Sequence, residues 1–202
     1  MGTLLKRENV NPDSPDINGR TPLSWTAQNG NVEAAKTLLG RGDVTPDTPD
    51  KGGRTPLSWV AENGHEEIVK MLLEREDVAL DTKDKDGRTP LSRAAENGHQ
   101  DVVRIILGRG DVTLDTADND GRTPLWWAAR KKHGDIVRIL LDRQDVSPNT
   151  ADKDGRTPLS WAAENGHQDV VEILLEREDI TPHTADKDGR TPRGLRNVDT
   201  TA

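Results

Sequence analysis

Four histidines recur at a fixed interval: His65, His99, His133 and His167, each 34 residues after the last. Histidine is the commonest metal ligand and the side chain that titrates near neutrality, so a column of it first raises zinc binding or proton transfer. Acidic turns recur with the same period, Asp186 to Gly189 (DKDG) among them. A calcium loop needs D-x-[DN]-x-[DN]-G and a distal Glu, and DKDG lacks that spacing. His183 stands alone, and no Gly-rich phosphate loop opens a helix. These groups assemble no catalytic constellation, so the expectation is a non-enzymatic chain with no cofactor and no metal.

Recognition chemistry is better represented. Trp25, Trp59, Arg93, Trp127 and Trp161 form a second 34-residue column, four indoles and one guanidinium. Trp126 stands beside Trp127 where the other units carry Ser24, Ser58, Ser92 and Ser160. Arg130, Lys131 and Lys132 follow where other units read Glu-Asn-Gly, or Gln-Asn-Gly in the first. Indoles supply anchor area at interfaces, and cations orient acidic groups.

The elements that must hold these residues are legible from the period. Thr-Pro recurs at Thr21, Thr55, Thr89, Thr123, Thr157 and Thr191. A fixed period of this size means a stacked array, in which each unit buries its apolar face on its neighbours. In the unit from Thr157 to Arg190, Thr157 suits an N-cap and Pro158 the first helical position. Leu159, Ala162 and Ala163 give a narrow apolar face, and Gly166 ends the helix. Val170, Val171, Ile173, Leu174 and Leu175 mark a stronger second helix, and DKDG then makes a tight turn.

Composition agrees with an ordered array. The chain has 202 residues, 32% of them charged, with no Phe, Tyr or Cys and five Trp. Leu, Ile, Val and Ala must build the core. The lack of Cys excludes disulfides and fits a reducing, cytoplasmic setting. No apolar run approaches a membrane span, so no membrane partner is expected. MGTLLKRENV lacks a secretory apolar region, and Lys6 stands where a myristoylation signal needs Ser or Thr.

A period of 34 also suits tetratricopeptide repeats, but those want large aromatics at other spacings and no Asp/Gly turn. DGRTPLSWAAENGHQDVVEILLERED resembles the ankyrin repeat at its T-P-L, A-A, G-H, V-V and L-L positions, over residues 4 to 192. The resemblance implies an all-α solenoid of helix-turn-helix units joined by hairpin-like loops. It places the complete repeats at 21–54, 55–88, 89–122, 123–156 and 157–190. Residues 4–20 read as the second half of a truncated repeat, and 191–202 as an aborted sixth. Units of this family stack about 10 Å apart, too far for neighbouring histidines to share a zinc ion at bonds of about 2 Å. The G-H histidines are accordingly expected in a structural turn. Two departures stand out. Ser, or Trp126 once, replaces the His that usually follows T-P-L, and each unit is one residue longer than the common period.

RTPLSWAAENGH is also similar to fungal ankyrin arrays, which often form the C-terminal part of nucleotide-binding receptor-like proteins. That likeness implies a protein-interaction array serving as a ligand-sensing or regulatory segment of a larger protein. Alternatives are a clamp on an attached enzymatic or nucleotide-binding domain, and a free-standing scaffold fragment. The family pattern puts the first helices on the concave side. The expected partner surface there comprises Trp25, Trp59, Arg93, Trp126, Trp127, Arg130, Lys131 and Trp161, with Trp126 as the member that could instead fill the space Ser leaves. Repeat four is the only complete unit with a net positive charge, in a chain of net charge −8. An acidic or phosphorylated protein segment is the partner that fits, and the negative overall field argues against nucleic acid.

Three expectations concern irregularities. GLRNVDTT, from Gly194, back-translates in a shifted frame to a string close to SWAAENGHQ, so the tail reads as an out-of-frame sixth repeat. Without that repeat, Val170 and Ile173 should be partly bare. Lys132 replaces the turn glycine of Gly30, Gly64, Gly98 and Gly166, so it either accepts left-handed geometry or shifts the turn to Gly134.

Overall fold

The structure is a computed structural model that describes residues 11–192. The start of the segment read as a truncated repeat, and the tail from Arg193 with its out-of-frame reading, lie outside the described residues. Ten helices and no strands occur among them. They come in five pairs: α1 (Pro22–Asn29) and α2 (Val32–Leu39), α3 (Pro56–Asn63) and α4 (Glu66–Leu73), α5 (Pro90–Asn97) and α6 (Gln100–Leu107), α7 (Pro124–Arg130) and α8 (Gly134–Leu141), α9 (Pro158–Glu164) and α10 (Gln168–Leu175). The all-helical solenoid inferred from the repeat pattern is therefore present.

Each first helix starts for the same reason. The Thr of Thr-Pro caps it, its hydroxyl accepting from the backbone N–H three residues on, as from Ser24 and Ser58. Pro occupies a position that needs no donor. The next Ser replaces the family's His locally: in the first three units its hydroxyl lies 3.2 Å from the capping Thr hydroxyl, as in Ser24 with Thr21, and both are buried. First helices stack on first helices and second on second, which gives two layers. Their small faces allow this. Leu57, Leu91 and Leu125 are fully buried, together with Ala61, Ala95 and Ala129. The second helices contribute the larger core residues, such as Ile68, Leu72, Val103, Ile106 and Leu140.

Val170 and Ile173 are buried, contrary to the expectation that they would be partly bare. They pack inward, Ile173 against the start of α8, where a side chain at Gly134 would meet its Cδ1 at 3.1 Å. Leu175 is the large apolar residue of α10 left exposed.

The hairpin-like loops are tied sideways by backbone bonds. Lys51 N donates to Asn18 O, Lys85 N to Gly52 O, Asn119 N to Asp86 O, Lys153 N to Asp120 O and Lys187 N to Asp154 O, at 2.8–3.0 Å. Glycine is required at the hairpin for two reasons. Gly53 has φ +79°, and a Cβ there would meet Asp84 Cα of the next hairpin at 3.0 Å.

A second lateral tie crosses the loops that follow the second helices. Asp13, Asp47, Asp81 and Asp115 each accept, through one carboxylate oxygen, the backbone N–H of the residue 32 positions later. Their other oxygen is buried without a donor. Asn149 occupies the same column and uses both ends: Oδ1 accepts from Thr181 N at 2.9 Å, and Nδ2 donates to Asp179 O at 2.7 Å. The matching carbonyl for Asp47 is that of Asp77. Burial pushes the Asp47 carboxyl above its ordinary pKa, the Asp77 charge adds to this, and the Ala79 N–H only partly opposes it. A carboxyl raised in the folded state stabilises the fold below its unfolded pKa, and loses that contribution as pH rises through the folded value. Asp47→Asn should therefore stabilise the chain near neutrality by about 1 kcal/mol. The gain should shrink as pH falls, because the raised wild-type carboxyl takes up its proton before an ordinary carboxylate does. Urea unfolding at several pH values measures this, and an equal or larger gain in acid would refute it.

Lys132 adopts φ 62° and is the only non-glycine residue with positive φ among those described. Gly134 instead opens α8. The first of the two alternatives, strain at Lys132, is the one the backbone takes. Its side chain also disturbs the following repeat. A Cβ at Gly30 or Gly98 would lie 2.6 Å from the ring of His65 or His133. In those units the ring Nε2 donates to a carbonyl of the preceding first helix: His65 to Gln28 O, His99 to Glu62 O and His133 to Glu96 O, at 2.9–3.2 Å. Behind Lys132, His167 presents Nδ1 and bonds to Ala129 O at 3.1 Å, one carbonyl short of the register. Lys132→Gly should stabilise the array by about 1 kcal/mol. It should also return His167 to Nε2 bonding, visible in the ring nitrogen shifts. A loss of stability on this change would contradict the strain.

Candidate functional site

The aromatic column is built around one aspartate per hairpin. In Asp16, Asp50, Asp84, Asp118 and Asp152, Oδ1 accepts the backbone N–H groups two and four residues on, which fixes the turn. Oδ2 is left for the column residue nine positions later. The indole Nε1 of Trp25, Trp59 and Trp127 donates to it at 3.1 Å in each case. Burial alone would raise the Asp16 carboxyl. The N–H groups of Arg20 and Asn18, the Trp25 indole and the Arg20 charge outweigh it and hold the group below its ordinary pKa.

Arg93 does the same work with a charge. Its Nε donates to Asp84 Oδ2 at 2.9 Å, Nη2 contacts the same oxygen, and Asp86 lies 3.2 Å away. Arg93 is only 5% exposed. Burial works against its charge, but the Asp84 bond and charge, aided by Glu62 and Glu96, raise its pKa overall.

Arginines cover the ring faces. The Arg20 guanidinium carbon lies 3.8 Å from the Trp25 ring centroid, Arg54 4.5 Å from Trp59, Arg88 4.2 Å from Trp127, and Arg156 4.5 Å from Trp161. These are cation–π distances. In repeats one, two and four the column is thus an indole pinned at one edge by Asp and covered by Arg.

Repeat four departs from the pattern. Trp126 and Trp127 are each 1% exposed. Their rings meet edge to face at 5.3 Å, and Trp126 lies 5.2 Å from Trp161. Trp126 Nε1 reaches across to the next hairpin and donates to Arg156 O at 3.2 Å. The residue that fills the Ser position is therefore a wedge between repeats. Beside that wedge Trp161 loses the template bond. Its Nε1 has no acceptor, and Asp152 Oδ2 faces Arg156 Nε at 3.4 Å instead.

The expected partner surface thus divides. Arg93, Trp126 and Trp127 are buried and engaged inside the chain, so they offer no free anchor area. Trp25 is 41% exposed, Trp59 and Trp161 are half-buried, Arg130 is half-buried and Lys131 is exposed. These five remain on one face with the exposed Asn29, Asn63, Asn97 and Asn165. Spacing marks these aspartates as turn residues that fall short of a calcium loop, and their role as structural hubs is seen only in the fold. Their constancy nine residues before the column, while neighbouring positions drift, was the available signal.

Among the described residues, no cluster of three His, Cys, Asp or Glu side chains is placed to hold a metal ion, and no helix is long and apolar enough to cross a membrane. The fold and these columns define a repeat solenoid with a side-chain-lined first-helix face. A family model described as ankyrin repeats (3 copies) matches residues 2–84, 42–116, 67–152 and 111–186. The chain belongs to the ankyrin repeat family, a family of protein-interaction modules. No curated protein matches it.

Proposed function

We propose that this chain is a non-catalytic protein-interaction array, and that its partner lies along the first-helix face at repeats three and four. The single observation that supports the placement is the change of charge there. Every other first helix carries Gln28, Glu62, Glu96 or Glu164 at the position where α7 carries Arg130. An acidic or phosphorylated protein segment complements that exchange, whereas the chain's net charge of −8 repels nucleic acid. On the likeness to fungal arrays, we assign the chain to a cytoplasmic, ligand-sensing or regulatory segment of a larger receptor-like protein. The second reading is a clamp on an attached domain.

A photo-reactive residue placed at exposed Asn63 or Lys131 samples the proposed face. One at exposed Lys70 or Arg104 samples the second helices. In the source cell, the same partner should be captured from the first pair of sites and not from the second. Capture only from Lys70 and Arg104 would defeat the placement. Capture of a domain of the same polypeptide would favour the clamp.

A further inference from the structure

The exchange at Arg130 alters two cations at once. In the first three units the hairpin arginine is held by the first-helix acceptor eight residues on: Arg20 by Gln28 at 2.9 Å, Arg54 by Glu62 at 3.0 Å, Arg88 by Glu96 at 2.7 Å. Before α9, Arg156 pairs instead with Asp152 and Asp154. Glu164 is paired as well, with Arg190 at 3.1 Å. In repeat four the acceptor is a second arginine. Arg122 keeps only Asp120, at 3.0 Å. Arg130 and Lys131 have no carboxylate within ion-pair distance among the described residues.

The indoles fix where these charges gather. Arg122 lies 5.0 and 5.2 Å from the Trp126 and Trp127 ring centroids, and Arg130 lies 5.7 and 5.1 Å from the same two. Arg130 is also 5.5 Å from the Trp161 ring. Two guanidiniums share one buried pair of rings. Stacking on an indole engages the guanidinium face and leaves its in-plane N–H donors open. Those of Arg130 have no acceptor in the described chain.

We infer that Arg130, with Arg122, forms a subsite for a phosphorylated side chain of a peptide partner. The inference rests on the proposed interaction function and adds the chemistry of one anchor group. A dianion suits the subsite better than a carboxylate. Two guanidiniums converge on the same rings, Arg122 with Asp120 as its carboxylate and Arg130 with none among the described residues, and the planar fork of Arg130 can bind two phosphoryl oxygens together. The buried Trp126 and Trp127 rings beneath exclude water from one side and strengthen the contact.

The test uses the purified chain and three versions of one short, otherwise neutral peptide, carrying phosphoserine, glutamate or serine at its centre. Inorganic phosphate is the fourth probe. Trp126, Trp127 and Trp161 report through intrinsic fluorescence, because each lies within cation–π reach of Arg130. The phosphoserine peptide should bind at least about tenfold more tightly than each of the other three probes, and more weakly as salt rises. Arg130→Glu should abolish the difference. That change restores the template acceptor for Arg122, so thermal stability should hold or rise, and unfolding cannot account for the loss. Equal binding of the glutamate peptide, equal binding of inorganic phosphate, or unchanged binding by Arg130→Glu each overturns the inference. Photo-capture from Lys131 and Asn63 stands or falls separately, so a failed phosphate subsite leaves the interaction reading intact.

Discussion

Arg93→Met should destabilise the array by about 3–5 kcal/mol, because it strands a buried carboxylate. Asp84 has a fully buried side chain, and its Oδ2 depends on the Arg93 guanidinium. Two backbone N–H bonds to Oδ1 remain but do not neutralise the charge. Arg93→Trp should cost far less. An indole at this position meets the same oxygen in the neighbouring units, as Trp59 meets Asp50. Because stability in a solenoid is close to a sum of unit and interface terms, the Met variant should unfold in a broadened transition, starting around repeat three. Urea unfolding followed by circular dichroism separates the two variants. A cost below about 1 kcal/mol for Met, a value ordinary for surface changes, would mean that Asp84 does not need its cation.

The second large effect concerns Trp127. Its place in the column and its neighbours suggest an anchor whose loss weakens binding with the fold intact, by about 2 kcal/mol of affinity. The burial of the ring moves the effect to stability. Trp127→Ala removes a side chain that is 1% exposed, breaks the 3.1 Å bond to Asp118, and takes the ring from under Arg88, Arg122 and Arg130. The expected loss is about 3–5 kcal/mol. Trp127→Phe keeps most of the volume and removes the indole donor, for about 1–2 kcal/mol. Melting both variants beside wild type decides it. An unchanged melting temperature for Trp127→Ala would restore the ring to the role of a surface anchor.

Repeat four concentrates the departures from the template, and they are coupled. Trp126 wedges between repeats and bonds to Arg156 O, and the template contact between Trp161 and Asp152 is absent. Lys132 takes the left-handed turn, and His167 bonds through its other nitrogen. Arg130 replaces the acceptor of Arg122. All three changes involve repeat four, the first two at its junction with repeat five and the third where Arg122, at the end of repeat three, meets α7. This is why the candidate surface and the least regular packing coincide.

The sequence by itself determined the fold class, the helix starts and the turn positions. Those depend on short-range chemistry repeated on a strict period: Thr as cap, Pro at the first turn, Gly where φ is positive, and small Ala where helices touch. It also determined that Lys132 would be strained or displaced, since that conflict lies within one turn. It marked the Trp column as special without deciding whether the indoles faced water or hairpin. Spacing assigns a residue to a helix face but does not give its depth. Depth is set by what the adjacent repeat presents, here an aspartate nine residues upstream and an arginine over the ring. The same limit explains why Val170 and Ile173 were expected bare and are buried. Only the tertiary structure decided that Arg93, Trp126 and Trp127 are internal while Arg130 and Lys131 keep unpaired charge. Burial and pairing arise between repeats, where side chains far apart in sequence compete for the same space.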